Sequence, residues 1–144
     1  MSDTCDFYLL LRRHQRRPTP LRLEILDLLG RNRQTWQARE ILETLRTRRR
    51  VNKVTVYRIL EDFLNLGLVR KVPLNGDAAF FELACEHYPP HPHFQCYHCG
   101  QVQCLEPVNL DQVWGALKGP LGNRADRVEI LVAGLCRNCR HLNP

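Results

Sequence analysis

Residues 52–83, NKVTVYRILEDFLNLGLVRKVPLNGDAAFFEL, decide the fold that we predict for the first half of this chain of 144 residues. Their first part predicts a helix from Asn52 or Lys53 to about Leu66, because its apolar residues recur at helical spacing. The runs 68–72 and 79–83 predict two strands, joined by a turn that contains Asn75-Gly76. A helix followed by such a hairpin is typical of a winged helix-turn-helix domain.

Three further helices are predicted upstream of this stretch. The first covers residues 4–14. The second, with Thr19 as its N-cap and Pro20 at its first position, runs to Gly30. The third has Thr35 as its predicted N-cap and runs through Leu45 into a basic cluster. Helices in series before a basic hairpin agree with the winged-helix prediction.

The polar face of the helix that starts near Lys53 is predicted to contact DNA. This face consists of Lys53, Thr55, Tyr57 and Arg58. These side chains can donate or accept hydrogen bonds, and the neighbouring sequence is rich in arginine. Arg58 could reach a guanine edge or a phosphate, and Tyr57 a phosphate or a thymine methyl group. An ordinary solvent-exposed helix face is the alternative interpretation.

The net charge of +6 is concentrated in the first half of the chain. Residues 1–72 contain 16 Lys and Arg against 8 Asp and Glu, whereas residues 73–144 contain 5 against 7. This asymmetry favours a nucleic-acid-binding module joined to a module with another role. A solvated arginine-rich surface is the alternative on charge alone.

Two Cys-x-x-Cys pairs in the second half predict a structural zinc site. Its four ligands are Cys96, Cys99, Cys136 and Cys139. Four thiolates match the tetrahedral preference of Zn²⁺, and metal stabilises a domain too small to bury much apolar surface. Redox dithiols and unrelated free thiols are the alternatives, although neither pair lies in a thioredoxin-like strand-to-helix context.

A second group of possible metal ligands surrounds the first pair: Cys85, His87, His91, His93, His98 and Cys104. His91 and His93 are two residues apart, so in an extended segment both imidazoles point to the same side and can bind one ion. Cys85 and Cys104 could complete a shell of sulfur and nitrogen, which favours zinc over iron or manganese. The sequence therefore predicts a second zinc site.

The predicted fold class is α+β, with a winged-helix domain over 1–84, a proline-rich linker over 85–92 and an α/β domain over 93–144. The elements predicted for the α/β domain are a hairpin over 93–96 and 101–105, a helix over 110–117, a turn over 119–123 and a strand over 127–135.

Composition narrows the class of protein. Seven cysteines, an odd number, argue against a complete disulfide framework, and thiolate metal sites suit a reducing cytoplasm. No signal peptide or membrane span is expected, because the apolar run near the N-terminus covers only residues 8–11. No nucleophile with a partnered base is recognisable, so an enzyme is not expected.

These motifs together resemble the ferric uptake regulator family of metal-responsive repressors. The matching stretches, in chain order, are Arg17 to Arg22, Thr55 to Leu60, Gly67 to Val69, Phe81 to Leu83, His91-x-His93-x-x-Cys96-x-x-Cys99-Gly100 and Cys136-x-x-Cys139. The resemblance covers nearly the whole chain, and these motifs in this order are highly specific.

The resemblance implies a cytoplasmic homodimer that binds a palindromic operator in double-stranded DNA when its sensory metal is bound. The C-terminal domain would be the dimerisation domain, and Tyr57 and Arg58 fall on the family's DNA contacts; Arg17, in the first matching stretch, is a further candidate. The two Cys pairs fall on its structural zinc ligands. His91 and His93 fall on the histidines of its regulatory site.

Within the family, Cys85 looks like the cysteine ligand of the zinc uptake regulators. The resemblance thus implies a zinc-responsive repressor of metal-uptake genes, with no membrane partner and no small-molecule substrate other than the metal ion. Cys104 is the predicted fourth regulatory ligand, with His87, Asp77 or Glu82 as substitutes. The alternatives are an iron-, manganese- or peroxide-responsive regulator and, in a different class, a zinc-ribbon interaction module or a dithiol redox protein.

Pro90, Pro92 and Val128 stand where the iron-sensing branch has metal-binding residues. The second, oxygen-rich site of the iron and peroxide sensors is therefore expected to be missing from this chain.

Overall fold

The computed structural model describes residues 5–31, 34–117 and 122–142. The chain divides into two compact units, Met1–Pro89 and Pro90–Pro144. This division falls inside the predicted linker, while the boundaries of 1–84, 85–92 and 93–144 stay a prediction. Within the described residues, no helix is both long enough and apolar enough to cross a membrane.

Four helices form most of the first unit: α1 (Phe7–Arg13), α2 (Pro20–Gly30), α3 (Ala38–Arg46) and α4 (Lys53–Asn65). Polar side chains cap three of them, because Asp6, Thr19 and Asn52 each accept a hydrogen bond from a backbone N–H of the first turn. Gly67 follows α4 with φ of 73°, a left-handed conformation that glycine adopts without strain. The predicted caps Thr19 and Gly67 are thereby confirmed.

The predicted cap of α3 is wrong. Gln37, not Thr35, is the N-cap residue, and its backbone N–H donates to the Glu40 carboxylate at 2.8 Å in a capping box. Thr35 instead precedes a short strand, β1 (Trp36–Gln37), that the sequence pattern did not predict. Two residues are too few to show the alternation by which a strand is recognised.

The hairpin consists of β2 (Val69–Val72) and β3 (Phe80–Leu83), as predicted. Together with β1 they form an antiparallel sheet in the order β1-β3-β2, in which Trp36 lies opposite Phe81 and Val69 opposite Leu83. The four helices and this sheet enclose one apolar core, which includes Leu11, Ile25, Ile41, Leu60 and Phe63. The arrangement is a winged helix-turn-helix domain.

The second unit contains β4 (His93–Cys96), β5 (Val102–Cys104), α5 (Leu110–Ala116) and β6 (Leu131–Gly134). The sheet order is β5-β4-β6, with β4 antiparallel to β5 and parallel to β6. A parallel neighbour requires a crossover connection, and α5 lies in it. The last strand is shorter than the predicted 127–135, and residues 119–121 of the predicted turn lie outside the described residues.

The buried core of the second unit differs in kind from that of the first. Among the described residues, its cluster of buried apolar side chains consists of Cys96, Cys136 and Cys139, packed with the partly buried Phe94 and Leu135. So small an apolar cluster cannot stabilise an independent domain through burial alone. A metal ion bound by these cysteines would supply the stability that so small a cluster does not.

Candidate metal centres and DNA-binding surface

The four cysteines of the two Cys-x-x-Cys pairs converge in the second unit. Cys96 ends β4, and the turn after it is closed by the Gly100 N–H, which donates to the Cys96 carbonyl at 2.9 Å. Cys136 and Cys139 follow β6, and the Cys139 N–H donates to the Cys136 carbonyl at 3.0 Å. Because β4 and β6 run parallel, both pairs leave the sheet at the same end.

The geometry of these sulfurs fits a tetrahedral metal ion. One ligand atom from each of the four cysteines lies within 4.8 Å of the other three. The Sγ atoms of Cys99 and Cys136 are 3.8 Å apart. Zinc–sulfur bonds of about 2.3 Å in a tetrahedron place sulfurs about 3.8 Å from one another. The cluster therefore suits zinc.

Two of these thiols have pKa values shifted in opposite directions. Backbone N–H groups, that of Cys99 first, stabilise the Cys96 thiolate and lower its pKa to about 6. Burial, followed by the neighbouring thiols, raises the pKa of Cys139 to about 12. Like charges so close together disfavour one another, so binding of a cation by all four sulfurs would be accompanied by loss of their protons.

Three side chains of the second ligand group also converge. His93 lies opposite Cys104 across the β4–β5 pair, and the His91 and His93 rings have centroids 4.6 Å apart. The ligand atoms of His91, His93 and Cys104 all lie within 4.8 Å of one another. His93 is only 5% exposed. A ligand set of two imidazole nitrogens and one sulfur favours the binding of zinc over that of iron or manganese.

Cys85 is placed differently from the prediction. Its Sγ atom is bonded to the Sγ atom of Cys5, and the two Cα atoms are 7.3 Å apart. A disulfide sulfur is not a thiolate, and the thiolate is the form that binds metal. Cys85 can therefore act as a ligand only in the reduced chain. Sequence analysis did not find this pair, since 80 residues separate its members and no local pattern relates them.

The suggested substitutes for the fourth regulatory ligand have distinct surroundings. Glu82 is 4% exposed, and its carboxylate accepts a hydrogen bond from Nε of Arg70. His87 is exposed and lies 3.8 Å from the Glu86 carboxylate. Asp77 is exposed in the turn between β2 and β3. Of these three, Glu82 is the one whose side chain is buried.

Helix α4 exposes the four polar residues that the sequence predicted for DNA contact. Its opposite face is buried in the core through Val56, Leu60 and Phe63, which orients Lys53, Thr55, Tyr57 and Arg58 away from the core. Nζ of Lys53 lies 5.5 Å from the centre of the Tyr57 ring. This cation–π contact restricts both side chains. Arg17 is exposed and precedes α2.

A cavity of about 450 Å³ beside this face includes residues that sequence analysis missed. Arg16, Arg22 and Asp62 line it together with Thr55 and Arg58. Two guanidinium nitrogens of Arg16 donate to the Asp62 carboxylate, each at 2.8 Å. This bidentate pair lowers the pKa of Asp62 and fixes the segment before α2 against α4.

The fold and the cysteine cluster define a class of protein: a winged-helix DNA-binding domain followed by a small α/β domain of the dimerisation type, with a site that fits structural zinc. This chain belongs to the Ferric uptake regulator family, whose sequence model matches residues 13–118.

Two curated relatives illustrate the range of the family. The ferric uptake regulation protein of Shigella flexneri is 28% identical over 92 residues, which are 62% of this chain and 61% of that protein. This match spans about three-fifths of the relative. The peroxide-responsive repressor PerR of Staphylococcus saprophyticus is 25% identical over 131 residues, covering 90% of this chain and 86% of the relative.

Solved structures share the fold over most of the chain. The Vibrio cholerae ferric uptake regulator superimposes with a TM-score of 0.74 at 25% identity, covering 91% of this chain and all of that chain. A zinc uptake regulator, solved in complex with zinc and DNA, gives a TM-score of 0.63 at 26% identity, covering 94% of this chain and 91% of the other.

Proposed function

We propose that this protein is a zinc-responsive transcriptional repressor of metal-uptake genes, which binds a palindromic operator as a metal-loaded homodimer. The observation that carries the proposal is the sulfur of Cys104 beside the imidazoles of His91 and His93. Sulfur in the sensory shell selects zinc over iron and manganese. Likeness to a zinc uptake regulator solved with zinc and DNA supports it.

In this proposal the four-cysteine site holds a structural zinc ion. Cys96, Cys99, Cys136 and Cys139 bind it as thiolates, and the ion adds to the stability of a unit whose described residues bury only a small apolar cluster. The requirement of this site for thiolates agrees with a cytoplasmic location.

The regulatory site is proposed to consist of His91, His93 and Cys104, with Cys85 as a further ligand when its sulfur is a thiolate. Binding of zinc would order the linker over 85–92 and so favour the conformation that binds DNA. To move that conformation from about 1% to about 99% of the population, the ion must prefer it by roughly 5.5 kcal/mol. A multi-ligand zinc site can supply this free energy.

The exposed face of α4 is proposed to read the operator. Arg58 is the candidate for a bidentate contact to guanine, and Tyr57, Thr55 and Lys53 are candidates for phosphate or thymine contacts. Arg17 is proposed to contact the DNA backbone. A homodimer is supported by β6, which lies at one edge of the second sheet and leaves Val132 44% exposed. An unpaired edge strand is a surface on which a second copy can pair.

The proposal is tested by the variant His91→Ala/His93→Ala. A labelled duplex is first selected from a random-sequence pool with the parent chain, and binding is then followed by fluorescence anisotropy at buffered free zinc. We expect zinc-dependent binding to be lost while the thermal unfolding transition and the structural zinc are retained. The matched control is His14→Ala/His141→Ala, which removes two histidines outside the proposed ligand group and should bind like the parent. Binding by the first variant that still follows free zinc would refute the site.

The ligand proposed in addition to His91, His93 and Cys104 is tested by comparing Cys85→Ser with Glu82→Gln under the same zinc buffers. We expect Cys85→Ser to shift zinc-dependent DNA binding to higher free zinc by at least about tenfold, because loss of even an outer-shell partner of a metal ligand costs roughly 10- to 100-fold in metal affinity. A larger shift for Glu82→Gln than for Cys85→Ser would assign the position to Glu82 instead.

A regulator that responds to iron, manganese or peroxide is the second candidate, because ferric uptake regulators and a peroxide-responsive repressor are among the relatives. The same anisotropy assay in buffers of free Zn²⁺, Mn²⁺ and Fe²⁺ separates the candidates. Activation by Mn²⁺ or Fe²⁺ at concentrations where free zinc has no effect would favour the second candidate.

A further inference from the structure

The turn between α3 and α4 carries a cluster of arginines that the proposed DNA contacts do not use. Arg46 ends α3, and Arg48, Arg49 and Arg50 follow it before Asn52 caps α4. With Thr47 and Val51, these arginines line a concave surface of about 600 Å³. We refer to residues 46–50 as the arginine turn.

The arginine turn is held in a defined conformation. The backbone N–H groups of Arg48 and Arg49 both donate to the Leu45 carbonyl at 3.0 Å. The Thr47 hydroxyl donates to the Thr44 carbonyl at 2.7 Å. Leu45 is buried in the core of the first unit, and Val51 packs against that core. Because both ends are anchored, the arginines are presented without the entropic cost of ordering a loop.

The charges of the arginine turn are only partly compensated. Glu24 of α2 lies 2.9 Å from Nε of Arg49 and 3.6 Å from Nη1 of Arg48, and both arginine side chains remain 41% exposed. Arg46 and Arg50 are exposed and form no ion pair with any residue that the structure describes. One carboxylate thus pairs with two of the four guanidinium groups, and the remaining positive charge favours a polyanionic partner.

We propose that the arginine turn binds the phosphate backbone of the operator next to the base pairs that α4 reads. This inference rests on the proposed DNA-binding function. The turn leads directly into Asn52 at the N-terminus of α4, and in helix-turn-helix proteins that end of the recognition helix enters the major groove. The arginines that precede it are therefore beside the groove edge, where phosphates lie. Guanidinium groups bind phosphate oxygens bidentately.

Phosphate contacts contribute affinity that is independent of base sequence. Glu24 is a positioning residue in this account, because it restrains Arg48 and Arg49 while Arg46 and Arg50 remain available to the DNA. The turn is therefore expected to increase binding to any duplex, whereas Arg58 contributes to the preference for the operator.

The test is the variant Arg46→Ala/Arg50→Ala, measured by anisotropy between about 50 and 300 mM salt on two probes. One probe is the duplex selected by the parent chain, and the other is a mixed-sequence duplex of the same length. Loss of two phosphate contacts should reduce the slope of log K against log salt by roughly 1.8 on both probes. The matched control is Arg124→Ala/Arg127→Ala in the second unit, which also removes two positive charges and should leave the slope unchanged.

The variant Arg46→Lys/Arg50→Lys adds a second measurement, since it keeps the charge and should keep most of the slope. An unchanged slope in the alanine variant, with metal-dependent binding by the parent chain intact, overturns the inference and leaves the proposed function standing. A loss confined to the selected duplex also overturns it, because it would indicate base readout. A parent chain that binds neither duplex in any metal state overturns the proposed function and the inference together.

Discussion

The Sγ atom of Cys85, just after β3, is bonded to the Sγ atom of Cys5, just before α1. The disulfide ties the start of the winged-helix domain to its last strand. It also occupies the sulfur that the sequence assigned to the regulatory zinc. Cys85 therefore cannot bind metal while it is in this disulfide. It can bind metal only when the Cys5–Cys85 pair is reduced to thiols.

Reduction of the Cys5–Cys85 disulfide is expected to increase zinc binding. The parent chain should bind regulatory zinc more tightly in the presence of a thiol reductant than when the disulfide is present, because only a thiolate of Cys85 can join the other ligands of the ion. Zinc per chain, measured by elemental analysis after dialysis against a zinc buffer, reports the change. Cys5→Ser, which leaves Cys85 without its partner, should hold regulatory zinc in both conditions. Equal zinc in the reduced and disulfide forms of the parent would remove Cys85 from the ligand set.

Loss of one sulfur from the four-cysteine site should unfold the second unit. Cys136→Ser removes a buried ligand, and the remaining thiols cannot satisfy a tetrahedral ion. We expect the variant to lose the structural zinc and its dimeric state, as measured by elemental analysis and analytical ultracentrifugation. Cys104→Ser is the matched control and should keep the structural zinc. A Cys136→Ser chain with full zinc content would contradict the structural role.

Truncation of Arg58 should weaken operator binding without altering metal content. A bidentate contact to a base contributes about 1–3 kcal/mol, so Arg58→Ala is expected to weaken binding to the selected duplex by about 5- to 150-fold. Binding to a mixed-sequence duplex should change less. Arg31→Ala is the control. Arg31 pairs with Asp27 and lies at the C-terminal end of α2, and it is not among the proposed DNA contacts. Equal affinity of Arg58→Ala and the parent would exclude this residue from the interface.

The ion pair between Arg16 and Asp62 should make stability depend on pH. Hydrogen bonds and charge from Arg16 lower the pKa of the Asp62 carboxyl in the folded state. The resulting stabilisation is present above the unfolded pKa of about 4 and is lost as the pH falls through the folded value. Because both side chains are partly exposed, Asp62→Asn should lower the free energy of unfolding by no more than about 1 kcal/mol at pH 7. The difference should be smaller at acidic pH, where the parent's Asp62 is protonated.

Urea unfolding of the parent and of Asp62→Asn between about pH 3 and 7 measures this difference. Asp27→Asn removes a carboxylate from an exposed pair within α2 and is the control, with a smaller expected effect. A constant stability difference over the whole pH range would show that Asp62 does not act through its charge.

Local patterns were sufficient to predict most of the helices and the hairpin. Thr19, Pro20 and Gly67 mark helix ends through conformational preferences that act within a few residues, and the structure confirms these ends. The cap of α3 was not predictable in this way, since Gln37 competes with Thr35 and is selected by its hydrogen bond with Glu40 and by the pairing of β1. The parallel pairing of β4 with β6 was also missed, because their register depends on a long crossover.

Spacing in the sequence by itself predicted the groups of metal ligands proposed for this protein. Two Cys-x-x-Cys pairs and the His91-x-His93 motif place ligands within a few residues of each other, so their grouping follows from local backbone geometry. Cys104 was also predicted as a ligand, and the structure places it opposite His93. The tertiary structure alone decided which more distant side chains meet, such as Cys5 with Cys85 and Arg16 with Asp62. Such contacts form only when the core brings separate elements together, and no pattern of neighbouring residues encodes them.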